Sequence, residues 1–238
     1  MARSKYKWRL LGFALKILGG IFIAVVVGFL AWRIIDSKLD PREVDRIIPN
    51  KILCNAYEQN GGKLTLYDQE QATHTTAEAN YGYFGITQAV FIEEANQLQF
   101  VFRYNNSTLK HTMEDYSLPA IPSRDEEVYD VTVVIMYDLT PENSEDNDGQ
   151  TPEAVRFERF FPSEMKAAQK TLYNYRRFVF DGIEITDDVI GVYVDFYYVG
   201  DVNYDDTAYG WLLVYYNEDQ NRPVRLSASE KKAIRDWK

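Results

Sequence analysis

The chain has 238 residues, of which 46% are hydrophobic and 15% aromatic, so it has room for one ordinary domain with a substantial core. Residues 1–35 carry six Lys or Arg and no Asp or Glu, which leaves 20 basic against 36 acidic residues in the remainder. A domain this acidic repels phosphate backbones, so nucleic-acid binding is not expected. Cys54 is the single cysteine, so no internal disulfide forms.

The N-terminal segment has the length and composition of a membrane span. The stretch "LLGFALKILGGIFIAVVVGFLAW" is apolar except for Lys16, and at about 1.5 Å per residue it crosses a hydrocarbon core of about 30 Å. It is longer than the apolar region of a cleaved signal peptide, which predicts an uncleaved signal-anchor at residues 10–35 in contact with membrane lipid. Basic residues precede it, so residues 1–9 are predicted to be a cytoplasmic tail and the C-terminal domain to lie outside the cytoplasm. The predicted protein is therefore a single-pass protein of the cell membrane.

Small residues recur on one face of this segment. Gly20, Ala24 and Gly28 are spaced every four residues, which lets a second helix approach closely. Such residues are also common in membrane helices generally. The pattern leaves two interpretations open, a helix-packing face that supports a homo-oligomer and a face that contacts only lipid.

Residues 36–82 are predicted to form a juxtamembrane helix and a stalk. Asp40 is a candidate cap, Pro41 suits the first helical position, and Glu43 follows three residues after the cap. Pro49 would end this helix after about two turns.

Residues 83–238 are dominated by two-residue alternation of apolar and polar side chains, which predicts a series of strands. Four apolar residues of the first strand are predicted to share one side, namely Phe84, Ile86, Val90 and Ile92. Later strands are predicted to begin near residues 98, 128, 154, 176, 190 and 209.

Two helices are predicted within this domain. "SEMKAAQKTLYNY", with Ser163 as a candidate cap, is predicted to join two strands. In "LSASEKKAIRDWK", Ser227 and Glu230 have the spacing of a capping box, and Ile234 and Trp237 share a face that can dock on a sheet.

The series of strands without βαβ alternation predicts an all-β fold, an antiparallel β-sandwich with a short inter-strand helix and a C-terminal helix. An immunoglobulin-like arrangement is the first choice and a jelly roll the second. The Cys–Trp–Cys pattern of true immunoglobulin domains is absent, so only the architecture is predicted.

An acidic loop between two aromatic strands is a candidate calcium site. Asp201, Asn203 and Asp205 alternate like the first ligands of an EF-hand. However, the sixth position is Asp206 instead of glycine, and the twelfth is Leu212 instead of glutamate. Calcium binding and a solvated hairpin loop therefore both remain open, and no other cofactor is expected.

The strands that flank this loop carry a candidate binding surface. Tyr193 and Tyr197 are predicted to face away from the core, and Tyr209 and Tyr215 share a face of the next strand. Four exposed tyrosines would stack on sugar rings or contact a protein, whereas half-covered tyrosines would stabilise the sheet by cross-strand contacts.

The sequence contains no nucleophile elbow, Gly-rich phosphate loop, C-x-x-C or H-E-x-x-H motif, which predicts a protein that is not an enzyme. The predicted function is binding or assembly with a protein partner in the membrane or envelope. The alternative is a surface module that binds glycans through the tyrosine face, with assistance from calcium.

Overall fold

The structure is a computed structural model that describes residues 2–68, 84–105, 107, 110, 114, 128–138, 155–170, 172–198, 210–215, 222–224 and 226–237. The chain divides into two compact units, Met1–Asp40 and Pro41–Lys238.

The first unit is built on one long helix, α1 (Ala2–Lys38). Within it, Leu15–Ile35 is a stretch of 21 residues with a mean hydropathy of 2.3 and is 0% buried. At about 1.5 Å per residue it covers the thickness of a bilayer core of about 30 Å. This helix is therefore long and apolar enough to span a membrane.

The described residues of the second unit include two antiparallel sheets and two helices. The strands are β1 (Leu66–Asp68), β2 (Phe84–Ile92), β3 (Gln97–Asn105), β4 (Tyr129–Asp138), β5 (Val155–Phe160), β6 (Glu164–Gln169), β7 (Tyr173–Asp181), β8 (Val189–Tyr198), β9 (Gly210–Tyr215) and β10 (Arg222–Val224). The first sheet has the strand order β10-β1-β2-β3-β7-β6 and the second has the order β5-β4-β8-β9. The helices are α2 (Lys51–Gln59) and α3 (Ala228–Asp236), and a 3-10 turn (Glu93–Ala95) joins β2 to β3.

The two sheets share one hydrophobic core. It includes Phe100 and Phe102 from the first sheet, and Val133 and Val194 from the second. The sheets meet directly where the rings of Phe84 and Phe196 lie 4.5 Å apart between centroids. The predicted all-β class is thus confirmed in its coarse form, as two antiparallel sheets accompanied by a few helices.

The apolar side chains of strand β2 lie on both faces of the first sheet. The prediction that Phe84, Ile86, Val90 and Ile92 share one side of the strand is therefore wrong. Phe84 and Ile86 lie in the shared core, whereas Val90 and Ile92 lie in a separate cluster with α2. The pairing of β2 with β3 shifts by one residue at Thr87. Because side chains alternate along a strand, one extra residue transfers every later side chain to the opposite face.

The helix predicted after Ser163 is wrong, because this segment forms strand β6 and pairs with β7. The amide of Ser163 donates to the carbonyl of Val179 at 2.8 Å, and its hydroxyl donates to the same oxygen at 3.2 Å. Met165 packs against the shared core. Pairing with the edge of a formed sheet outweighs the helix propensity of Ala, Lys and Gln in this segment.

The predicted juxtamembrane helix is also misplaced. Val44 and Asp45 donate amide hydrogen bonds to Pro41, which makes a single turn at the predicted position. The helix that forms is α2, and it begins after Pro49. Asn50 caps it, since its Oδ1 accepts from the amide of Leu53 at 2.9 Å. The second unit begins at Pro41, so the described part of the predicted stalk is packed into the folded unit.

The outer face of the first sheet is covered by both ends of the second unit. A cluster of buried side chains joins α2 and α3 to β1 and β2, and its members are Ile47, Leu53, Cys54, Ala56, Leu66, Val90, Ile92, Ala95, Leu226 and Ile234. The predicted capping box of the C-terminal helix is confirmed. The side chain of Ser227 accepts a hydrogen bond from the amide of Glu230, and the side chain of Glu230 accepts one from the amide of Ser227. Ile234 docks as predicted, whereas Trp237 is 39% exposed.

Candidate functional site: the outer face and free edge of the second sheet

The structure describes two of the four candidate tyrosine side chains, both on β8. Tyr197 is buried, with 4% of its surface exposed, and Tyr193 is half-buried. Tyr209 lies outside the described residues, and for Tyr215 in β9 the backbone alone is described. Tyr197 therefore presents little free ring surface to a ligand.

Tyr193 lies against its own strand. A Cβ atom at Gly191 would come within 2.8 Å of the Tyr193 ring, closer than real Cβ contacts allow. The glycine thus provides the space in which the ring rests. This arrangement leaves Tyr193 half-buried on the face of β8 that points away from the shared core.

The residues proposed for calcium, Asp201, Asn203 and Asp205, lie outside the described residues. Elsewhere, no group of three or more His, Cys, Asp or Glu side chains within the described ranges has an arrangement that could hold a metal ion.

The proposed helix-packing face lies within the apolar stretch of α1. A Cβ atom added at Gly20 or Gly28 would meet nothing within 4 Å, and Ala24 is exposed. Helix association through this face stays a prediction.

A polar cluster lies on the same outer face as Tyr197. Arg159 of β5 donates to the hydroxyl of Thr132 at 2.7 Å and pairs with Asp195 at 3.4 Å. Its guanidinium also lies over the ring of Tyr197, 5.5 Å from the centroid. Register explains the meeting of these residues, because Thr132 on β4 lies directly opposite Asp195 on β8. One arginine thus ties together three strands of the second sheet.

Burial raises the pKa of both Asp195 and Tyr197 in this cluster. Removal from water raises the pKa of Asp195 above its ordinary value, and the Arg159 guanidinium and a hydrogen bond with Tyr197 offset part of that rise. Burial, followed by the nearby Asp195 charge, also raises the pKa of the Tyr197 hydroxyl. Arg159 already pairs with the Asp195 carboxylate and donates to Thr132. We therefore interpret the cluster as an interaction that stabilises the second sheet.

Strand β5, at the edge of the second sheet, has the most exposed apolar side chains of the strands whose side chains the structure describes. Phe157 is 60% exposed and Val155 is 40% exposed. Between and beside them, Arg156 and Glu158 form an exposed ion pair at 2.9 Å, and the Arg156 guanidinium lies 4.7 Å from the centroid of the Tyr137 ring. Among the described strands, β4 is the one neighbour of β5. Within the part of the chain that the structure describes, β5 is thus an apolar and charged strand with one side free for pairing.

Sequence reasoning missed this edge as a candidate site. The alternation of Val155 and Phe157 with Arg156 and Glu158 was readable. Whether a strand lies at an edge depends on strand order, which in turn depends on pairings between distant segments. No local signal in "VRFERF" reports that order.

A second feature missed by sequence reasoning is a buried polar network on the outer face of the first sheet. Arg177 of β7 is 0% exposed. It donates to the side chain of Gln99 at 3.1 Å, to the backbone carbonyl of Val44 at 2.9 Å, and to the side chain of Gln88. Gln99 in turn exchanges hydrogen bonds with both the amide and the carbonyl of Ile48, each at 2.9 Å. These bonds fix the segment before α2 onto the sheet.

No protein-family model, curated protein or solved structure matches this chain.

Proposed function

We propose that this protein is a single-pass membrane protein whose β domain lies outside the cytoplasm and binds or assembles with another envelope or membrane protein, without catalysis. The apolar helix Leu15–Ile35 supplies the anchor. The basic residues before it favour a cytoplasmic N-terminus. Within the β domain we propose a sandwich of immunoglobulin-like type, with a jelly roll as the second choice.

The observation that carries the binding proposal is the free apolar edge of β5. Exposed strand edges pair readily with other chains, and soluble proteins usually protect them with charge, proline or a covering segment. In β5, Phe157 and Val155 remain 60% and 40% exposed. Large apolar side chains on a strand with a free side favour recognition by strand addition.

The alternative of glycan binding has less support. It requires several outward-facing aromatic rings that are free to stack on sugars. Tyr197 is only 4% exposed, and Tyr193 lies against Gly191. Calcium assistance through Asp201, Asn203 and Asp205 remains a proposal that a titration of calcium against thermal stability would test.

The experiment has two arms, both in intact cells that express the full chain with a C-terminal tag. External protease should remove the tag if the domain lies outside, and persistence of the tag until the membrane is opened would contradict the orientation. Chemical crosslinking should capture a discrete complex that Phe157→Asp reduces about tenfold. Leu172→Asp is the matched control, because Leu172 is 41% exposed and lies outside β5. Equal complex formation by both variants would contradict a role for this edge.

A further inference from the structure

We propose that the partner of strand β5 is β5 of a second copy of this chain, paired antiparallel about a two-fold axis at Phe157. The two four-stranded sheets would then join into one continuous sheet across the dimer. This inference deepens the proposed function and rests on its claim that the β5 edge binds protein.

Symmetry limits how two copies of one strand can pair. A two-fold axis perpendicular to the sheet keeps every side chain on its own face, and residues directly opposite in an antiparallel pair share a face. Each residue can therefore lie opposite only residues of the same face. Within β5, the axis can lie at four residues that have strand residues on both sides, namely Arg156, Phe157, Glu158 and Arg159.

Charge selects one of these four registers. An axis at Arg156 or at Arg159 places two arginines opposite each other, and an axis at Glu158 places two glutamates opposite each other. All three arrangements oppose like charges and are destabilising. A centre at Phe157 instead places Arg156 of each copy opposite Glu158 of the other.

The Phe157 register also suits the observed exposure. Phe157, at 60% exposure, meets its own copy across the axis, where two phenyl rings can pack against each other. The side chains of Arg156 and Glu158 are 58% and 45% exposed, so they remain accessible to a second copy while paired within one chain. In the dimer, the two pairs form a cluster of four alternating charges.

Self-complementarity favours a second copy over an unrelated extended segment. The same short sequence, Val155–Phe160, supplies the apolar centre and both signs of charge in the order that a two-fold axis requires. An unrelated strand would need that charge order by coincidence. Pairing with such a strand is an outcome that the experiments below can reveal.

The first test is disulfide crosslinking of the full chain in its native membrane. In the predicted register, Phe157→Cys places two thiols directly opposite, within the Cα separation of about 4.4–6.8 Å that a disulfide needs. Cys54 gives little background, since it is 8% exposed and burial raises the pKa of its thiol. Mild oxidation should convert the variant into a covalent dimer.

Val155→Cys is the matched control. Val155 lies on the same strand, on the same face, and is also exposed. In the predicted register its two copies are four residues apart along the strand, about 14 Å at 3.4 Å per residue, which is too far for a disulfide. Equal crosslinking at both positions would overturn the register, because it would indicate random collision.

The second test exchanges charges. Arg156→Glu and Glu158→Arg should each reduce dimer formation about tenfold, because each variant places like charges opposite. When the two variants carry different tags and are expressed together, mixed dimers should form at the wild-type level. This rescue restores only the pairs between copies, since the pair within each chain stays broken. Absence of rescue would overturn the proposal.

The outcomes also separate this inference from the proposed function. If Phe157→Cys fails to crosslink to its own copy while Phe157→Asp abolishes capture of a different protein, the second-copy proposal is overturned and the binding function stands. If the covalent dimer and the rescue both appear, the second-copy proposal is supported even where no other protein is captured.

Discussion

The guanidinium of Arg177 donates to the backbone carbonyl of Val44 at 2.9 Å, across 133 positions of sequence. Arg177 lies on β7, which pairs with β3 on one side and with β6 on the other, and Val44 lies in the segment that precedes α2. Val44 also packs with Val101 and Tyr175 in a small buried cluster. This contact makes the beginning of the second unit a structural part of the β domain.

We expect Arg177→Met to destabilise the domain by about 3 kcal/mol, because it leaves the buried oxygens of Val44 and Gln99 and the partly buried oxygen of Gln88 without this donor. Urea unfolding of the full chain in detergent measures this change. Arg235→Met is the control, since Arg235 is exposed and its side chain donates to the carbonyl of Lys231, one turn earlier in the same helix. If Arg177→Met lowers the free energy of unfolding no more than the control does, the hydrogen bonds of Arg177 do not stabilise the domain as proposed.

Asn50→Ala tests the cap of α2. The side chain of Asn50 accepts from the amide of Leu53 at 2.9 Å and donates to the carboxylate of Asp181 at 3.1 Å. We expect a loss of about 2 kcal/mol, since the variant removes a helix cap and a hydrogen bond to a partly buried carboxylate. Ser227→Ala removes a cap from the exposed capping box of α3 and should cost about 1 kcal/mol. Asn50 Oδ1 also accepts from the side chain of Gln97 at 3.1 Å, so equal losses for both variants would show that the contacts with Asp181 and Gln97 contribute nothing.

The stability contributed by Asp195 should depend on pH. Burial raises the pKa of this carboxyl above the ordinary value of 3.8, against the opposing effects of Arg159 and Tyr197. The folded state therefore binds the proton more tightly than the unfolded state. Stability should fall as pH rises from about 4 through the folded pKa and then level off.

The measurement compares urea unfolding of the wild type with Asp195→Asn at several pH values. Asparagine does not titrate, so the stability of the wild type relative to this variant should decrease with rising pH. Asp187→Asn, at an exposed position, serves as the control for the effect of amide substitution. A relative stability that increases with pH would contradict the raised pKa.

Association through the span is a separate prediction. Replacing Gly20, Ala24 and Gly28 together with Leu should weaken helix association, because the larger side chains keep a second helix at a distance. Crosslinking between cysteines placed in the cytoplasmic tail measures this effect. The control replaces Phe22, Val26 and Phe29 with Leu, which changes side-chain volume on the opposite face of the helix. If the two triple variants crosslink like the wild type, the small-residue face contacts lipid.

Features that depend on neighbouring residues were predictable from sequence. Ser227 and Glu230 lie three positions apart, and their reciprocal hydrogen bonds form as the spacing predicts. In β3 and β4 every second residue, from Leu98 to Tyr104 and from Tyr129 to Tyr137, is apolar and lies in the shared core, as two-residue alternation indicates.

Features that depend on distant pairing were not predictable. The extra residue at Thr87 is not marked by glycine or proline, so the change of face in β2 has no local signal. Residues 164–169 favour a helix by composition, and their pairing with β7 is what makes them a strand. The exposure of Phe157 likewise follows from strand order, so the candidate binding edge required the structure.

The most direct test of the proposed binding function places a photoreactive amino acid at Phe157 of the full chain in intact cells. Lys63, an exposed loop position, receives the same amino acid as the control. Binding through the β5 edge predicts a discrete protein adduct from position 157, with the mass of a second copy or of one other protein, and far less from position 63. The same adducts from both positions, or no protein adduct from position 157, would contradict the claim that this domain works by association through β5.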